Sequence, residues 1–148
     1  MTSLARARTT LLAALCLTAG CLGGVPTDDP LSSPTTEPGT YGASEQPDPD
    51  KEVRVENAWN RTVDLRVRVV RVATGETVYD ENLTVEPGAE RVVYNTSEAN
   101  PDGIESFRVV ATARNTTKRV TIETNACYGN VYVEITEEGE LYPYYAIC

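Results

Sequence analysis

From Val53 onward apolar and polar positions alternate with a period of two, the pattern of strands that bury one face. In VRVEN (53–57), Val53 and Val55 oppose Arg54 and Glu56. In TVDLRVRVVRV (62–72), Val63, Leu65, Val67 and Val69 share one face while Asp64, Arg66 and Arg68 share the other. The alternation slips at Val69-Val70, which predicts a bulge or a bend between sheets. Segments 76–85, 91–95, 104–115, 119–124, 130–136 and 141–148 continue the series, with Phe107, Val109, Ala111 and Ala113 inward in the 104–115 segment. Thr74-Gly75, Pro87-Gly88 and Glu138-Gly139 supply turns. TSEANPDG (96–103) has room for one helical turn before Pro101 and Gly103 end it. About eight short strands with turns every eight to twelve residues predict an all-β, antiparallel two-sheet sandwich over residues 53–148. An up-and-down barrel is the rival architecture.

The pattern is absent earlier in the chain. Residues 22–52 hold six of the nine prolines and seven acids, with almost no aliphatic side chains. Such a segment buries too little apolar surface to offset its ordering entropy. Residues 21–52 are therefore expected to be a disordered, extended tether, on average about 30 Å long and about 100 Å at full stretch.

The first 20 residues have the layout of an export signal. Arg6 and Arg8 precede an apolar run from Leu11 to Leu17, then the small residues Thr18, Ala19 and Gly20. The run is shorter than the roughly 20 residues a membrane helix needs. LTAGC (17–21) resembles a lipobox, the signal-peptidase site of bacterial and archaeal lipoproteins, with Leu17 one place early and Thr18 in its position. The resemblance implies cleavage before Cys21 and lipidation of its thiol, which would anchor the chain to the outer face of the membrane. An ordinary signal cut near Ala19 or Gly24 is the alternative. Ala7 separates the two arginines, so they form no twin-arginine pair and the export route stays open.

Charge narrows the partners. The whole chain has 13 basic and 22 acidic residues; losing Arg6 and Arg8 with the signal leaves 11 against 22, a net charge of −11. Such a surface repels phosphate backbones, which argues against a nucleic-acid partner. Only Lys51 and Lys118 are lysines. The acid excess, scarce lysine and abundant Thr and Val resemble secreted proteins of salt-loving archaea, with a mesophilic acidic surface protein as the alternative. VRVENAWNRTVDLRVRVV and VEPGAERVV, within residues 53–93, resemble the immunoglobulin-like domains of archaeal surface proteins and lipoproteins. The likeness implies that fold, and a fold alone does not carry function. Trp59 precedes both cysteines of the domain, so the antibody-type Cys-Trp-Cys order is absent.

Four cysteines allow three pairings. With Cys16 in the signal and Cys21 lipidated as the resemblance implies, Cys127 and Cys148 remain for an extracellular disulfide; an intermolecular bond or a free thiol are the alternatives. The sequons at Asn60, Asn82, Asn95 and Asn115 are glycosylation candidates, Asn82 the least favoured because it adjoins inward-facing Leu83. Tyr128, Tyr132, Tyr142, Tyr144 and Tyr145 crowd the last hairpin. They are binding-surface candidates for sugar rings or a partner protein, against the plainer reading that tyrosine suits half-buried strands. Glu137, Glu138 and Glu140 offer oxygen ligands but no EF-hand spacing, and read as an exposed turn, so no metal and no cofactor is expected.

The chain has no histidine, which removes the usual general base, the Ser-His-Asp triad and imidazole-centred zinc or blue-copper sites. No glycine-rich phosphate loop is present. The expectation is a non-enzymatic interaction module of the cell surface, held by a lipid on Cys21 and facing a surface protein or glycan. A structural component of the cell envelope and an accessory subunit of a membrane complex are the alternatives.

Overall fold

The structure is a computed structural model that describes residues 42–148. The expected signal segment, Cys21 and the tether up to residue 41 lie outside the described residues. The eight strands are β1 (Glu52–Asn57), β2 (Val63–Arg71), β3 (Thr77–Val85), β4 (Glu90–Asn95), β5 (Ser106–Ala113), β6 (Thr116–Glu123), β7 (Tyr128–Ile135) and β8 (Leu141–Ile147). Two four-stranded sheets, ordered β4-β1-β7-β8 and β3-β2-β5-β6, pack as the expected β-sandwich. β1 and β2 fall in different sheets, whereas the antibody constant-domain order puts the first two strands in one. One pair departs from the antiparallel expectation. β1 runs parallel to β7, with Val53 opposite Val131 and Val55 opposite Val133.

The inner faces form the core as the alternation requires. Val53, Val55, Val67, Val69, Phe107, Val109, Ala111, Ile122, Val131, Val133 and Ile135 are fully buried, and Leu65 nearly so. The irregularity at Val69-Val70 is a bulge, but its extra residue belongs to the partner strand. Val69 faces Tyr79 and Val70 faces Thr77, so Val78 of β3 is left unpaired, while β2 stays in register with β5. Val70 is simply the outward-facing member of β2. Tyr79 and Tyr94 close one flank of the sandwich from opposite sheets, with ring centroids 5.1 Å apart.

The last residues of the expected tether, from 42 to 51, are ordered against the sandwich. A short helical turn, Ala43–Glu45, leads into a segment fastened to the domain. Ala126 donates its N–H to Gln46 O, Asp48 donates to Thr124 O, and Pro47 bridges Asn125. Lys51 is 3% exposed and pairs with Asp48; its N–H donates to Thr96 Oγ1 and its carbonyl accepts from Thr96 N–H. The polar side chains that looked like solvated spacer are thus ligands for other polar groups. The expected helical turn appears as Thr96–Ala99, capped by Asn95 and Glu98 and ended by Asn100 in the left-handed region.

Two polar groups tie strand ends together. Asn57, fully buried at the end of β1, donates Nδ2 to the carbonyls of Arg61 and Val85 and accepts from Trp59 N–H. At the opposite end Arg71 bonds Glu105 and the Ala99 carbonyl and lies over the Phe107 ring. Its Nε is 3.3 Å from Glu76 Oε2, an ion-pair distance without hydrogen-bond geometry.

Burial, followed by the Glu81 carboxylate, pushes the Tyr79 phenol up to about 12. A free tyrosine ionises near pH 10. The unfolded chain therefore releases this proton first, and the stabilisation is intact below about pH 10 and lost as pH rises through about 12. Ultraviolet titration should show a tyrosine ionising near pH 12 together with loss of native circular dichroism. Ionisation of every tyrosine near pH 10, with the fold retained, would contradict the burial of this pair.

Candidate functional site

The five tyrosines of the C-terminal hairpin fall into two groups, divided by strand parity. Inward Leu141 puts Tyr142 and Tyr144 on the outer face of β8, and inward Val131 and Val133 put Tyr132 on the outer face of β7. Tyr132 stands directly opposite Tyr144, and their rings stack at 5.2 Å and 14°. Tyr142 extends the row, 5.6 Å from Tyr144. Tyr142 is 55% and Tyr144 36% exposed. Tyr128 and Tyr145 instead contact one another at 5.3 Å and pack against the core. Three candidates therefore make one surface, and two are structural.

Carboxylates surround that surface. Across the same outer face run Glu52, Arg54 and Glu56 of β1, Glu134 of β7 and Glu90 of β4. Arg54 donates Nε to Glu52 and Nη1 to Glu90, and these two contacts raise its pKa. Glu56 and Glu134 lie directly opposite in the parallel pair, and among the described residues no cationic side chain lies within ion-pair distance of either. Like charges in that position repel. Burial first, then Glu134 and Glu56, raise the Tyr144 phenol above its ordinary value, so it remains a neutral hydroxyl at ordinary pH. The face offers an aromatic stack edged by glutamate side chains.

The disulfide lies at one end of this hairpin. Cys127 and Cys148 are joined, with Cα atoms 5.0 Å apart, and Cys148 N–H donates to Cys127 O. Asn125 Oδ1 accepts from the N–H groups of Cys127 and Tyr128, which fixes the entry into β7.

The sequons separate by how their amides are used. Asn95 is committed. Its Oδ1 accepts from Ser97 N–H and Oγ–H, and its Nδ2 donates to Asp50 at 2.6 Å. Asn60, in the loop after β1, Asn82, on the exposed face of edge strand β3, and Asn115, at the β5–β6 turn, are exposed, and their side chains make no hydrogen bond among the described residues. Asn82 points away from Leu83, so strand alternation frees it.

A second constellation escaped the sequence reading. At the end of the sandwich away from the disulfide, Trp59 lies between Arg114, 4.3 Å from its ring centroid, and Arg61, at 5.1 Å. Arg114 also donates to the carbonyl of Gly139, and its φ of 50° and the 62° of Asn115 build the two-residue turn between β5 and β6. Gly139 has φ 79°, and a Cβ there would come within 2.8 Å of the Trp59 ring. Beside this contact is a hollow of about 350 Å³ lined by Arg114, Lys118, Glu140 and Leu141. Thr116 lines it too, and among the described residues no hydrogen bond joins its hydroxyl to Lys118 or Glu140. Glu137, Glu138 and Glu140 belong to the β7–β8 turn, and no three metal-ligating side chains converge among the described residues. No helix among those residues is long and apolar enough to cross a membrane.

No protein-family model, curated protein or solved structure matches the chain. What the geometry defines is a β-sandwich with an aromatic, acid-edged outer sheet face.

Two outcomes follow for stability. The disulfide closes the hairpin across a sequence separation of 21. By loop-closure entropy, Cys127→Ser/Cys148→Ser should cost about 3 kcal/mol. Hydrogen exchange should quicken first in β8; unchanged protection there would show that the bond does not hold the strand. Gly139→Ala should cost about 2–3 kcal/mol, from the positive φ and displacement of the Trp59–Arg114 stack. Fluorescence of Trp59, the one tryptophan, reports the displacement directly, and parental stability with an unshifted spectrum would refute the close approach.

Proposed function

We propose that the chain is an exported, lipid-anchored and non-enzymatic interaction module of the cell surface, and that it binds through the outer face of the β4-β1-β7-β8 sheet. The observation that carries this reading is the Tyr132–Tyr144 stack, extended by Tyr142 on an open sheet face. Stacked tyrosines give a rigid apolar area at low entropic cost, with hydroxyls at the rim for hydrogen bonding. The surrounding glutamates accept from hydroxyl or cationic donors, which suits a glycan or a surface protein.

Anchoring rests on LTAGC, and stand-off from the membrane on the Pro- and acid-rich stretch before residue 42. The chain enters the sandwich at the end that carries the disulfide, where Pro47 bridges Asn125. Asn60 and Asn115 lie in turns at the opposite end, so glycans there would project away from the end at which the chain enters the sandwich.

Mass spectrometry of the intact protein from its native membrane should find a chain that begins at lipid-modified Cys21. An unmodified start elsewhere removes the anchor from this reading. A photoreactive side chain at position 142 should cross-link a defined partner that one at exposed Ala73, in the β2–β3 turn, does not. Equal labelling from both positions would deny the sheet face its role.

A further inference from the structure

The sheet on the other side of the sandwich has the opposite character. On the outer face of β3-β2-β5-β6, one cross-strand row reads Asp80, Arg68, Val110, Arg119, and Arg108 lies two residues from Val110 along β5. Arg66 is engaged by Asp80 through two bonds of 2.7 and 2.6 Å, which hold the Asp80 carboxyl below its usual range. Among the described residues Arg68, Arg108 and Arg119 have no carboxylate within ion-pair distance, although Asp80 stands across the strands from Arg68, which also helps to hold that carboxyl down. Together with Val70, Thr77 and Thr117 they line a shallow groove of about 480 Å³. A protein with 22 acids and 13 bases thus gathers three guanidinium groups, none in a close ion pair among the described residues, around one apolar centre.

The excess on each face matches the need of the other. Among the described residues no ion pair engages Glu56 and Glu134 beside the stacked tyrosines, and none engages Arg68, Arg108 and Arg119 around Val110. Guanidinium is the cation best suited to both partners, since it forms two-pronged bonds to carboxylate and lies flat on aromatic rings. We propose that the tyrosine-glutamate face of one copy docks on the arginine face of a second copy. This rests on the reading of the tyrosine face as the binding surface and names its occupant. The two faces point away from each other, so the contact is heterologous and leaves a free face at each end; repeated, it builds an open row.

A four-stranded face of about 20 by 20 Å falls in the small, weak class of interfaces. Holding many copies at one surface on tethers raises their effective concentration and extends the row. Contact pairs at a few Å lie within even a 1 M screening length of about 3 Å, while long-range steering is lost as salt rises.

Complementary variants test the proposal. The full chain, with Cys16→Ser and Cys21→Ser to prevent stray cross-linking, should show a concentration-dependent rise in sedimentation coefficient at about 0.15 M salt, weakened at higher salt. Arg68→Gln/Arg119→Gln disables one face and Glu56→Gln/Glu134→Gln the other, and each variant alone should sediment as a monomer. An equimolar mixture should form a 1:1 dimer and nothing larger, because only one pair of competent faces remains. Arg68, Arg119, Glu56 and Glu134 all lie on outer sheet faces, and unchanged near-ultraviolet circular dichroism verifies each fold. A parent chain that stays monomeric, a single variant that associates like the parent, or a mixture without dimer would overturn the proposal. A monomeric parent that binds a sulfated polysaccharide through Arg68 and Arg119 would replace the second copy with an anionic polymer. If self-association fails while position 142 still cross-links a defined partner, only this inference falls, and the proposed binding face stands.

Discussion

The parallel pairing of β1 with β7 is the contact on which the rest of the sandwich depends. β1 is central in its sheet, bonded to β4 on one side and β7 on the other. Without it that sheet becomes a separate strand and a β7–β8 hairpin, and a lone hairpin is marginal in water. The pairing brings the first strand against the seventh, with Val53 and Val55 wholly buried between them and the opposite sheet. A contact between residues so far apart in sequence brings little reward until most of the chain has collapsed. Neighbouring devices reinforce it. Asn57 ties the end of β1 to β3 through the Val85 carbonyl, Glu52 N–H bonds Asn130 at the start of the pairing, and the disulfide closes the hairpin that β1 leans on.

Much of this was legible in the chain because strand parity is local information. Val63, Leu65, Val67 and Val69 alternate with charged residues, and the same positions are buried. Parity also contained the division of the tyrosines. From Leu141 inward, Tyr142 and Tyr144 had to face out and Tyr145 in, although crowding by composition treats all five alike. Tyr128 was less legible, because the register shifts between it and Val131. The start of the domain was misread for a physical reason. Proline and aspartate between 46 and 52 do lower hydrophobicity, but Asp48 neutralises buried Lys51 and Asp50 bonds Asn95, so polar pairing orders a segment that burial alone would not. Strand order, the parallel pair and the Trp59–Arg114 stack depend on distant segments meeting, and no local pattern encodes that.

Net charge was the least informative average. A value of −9 describes a uniformly acidic body, yet the register gathers Arg66, Arg68, Arg108 and Arg119 on one outer face, with Asp64 and Asp80 among them, and Glu52, Glu56, Glu90 and Glu134 on the other. Arg54 is the exception on the acidic face, and Glu52 and Glu90 already occupy it. Period-two alternation produces this sorting, because each strand's outward residues all add to one face. The sequence of β2 places Arg66 and Arg68 two apart, and β5 and β6 add Arg108 and Arg119 to the same side.

Two places in the domain break a local rule, and they differ in how the break is compensated. Arg114 occupies a left-handed backbone conformation that costs a side-chain-bearing residue about 1–2 kcal/mol. The cost is offset within the chain, by the bond to Gly139 and the stack on Trp59. Glu56 beside Glu134 is the other case. No ion pair among the described residues relieves their repulsion, and Arg54, the guanidinium two residues away along β1, is held by other carboxylates. A fold shaped by stability alone gains nothing from that pair, whereas a face that must receive a cationic group gains an unsatisfied acceptor next to its aromatic stack. The compensation missing inside the molecule therefore points outward, to whatever the tyrosine face meets.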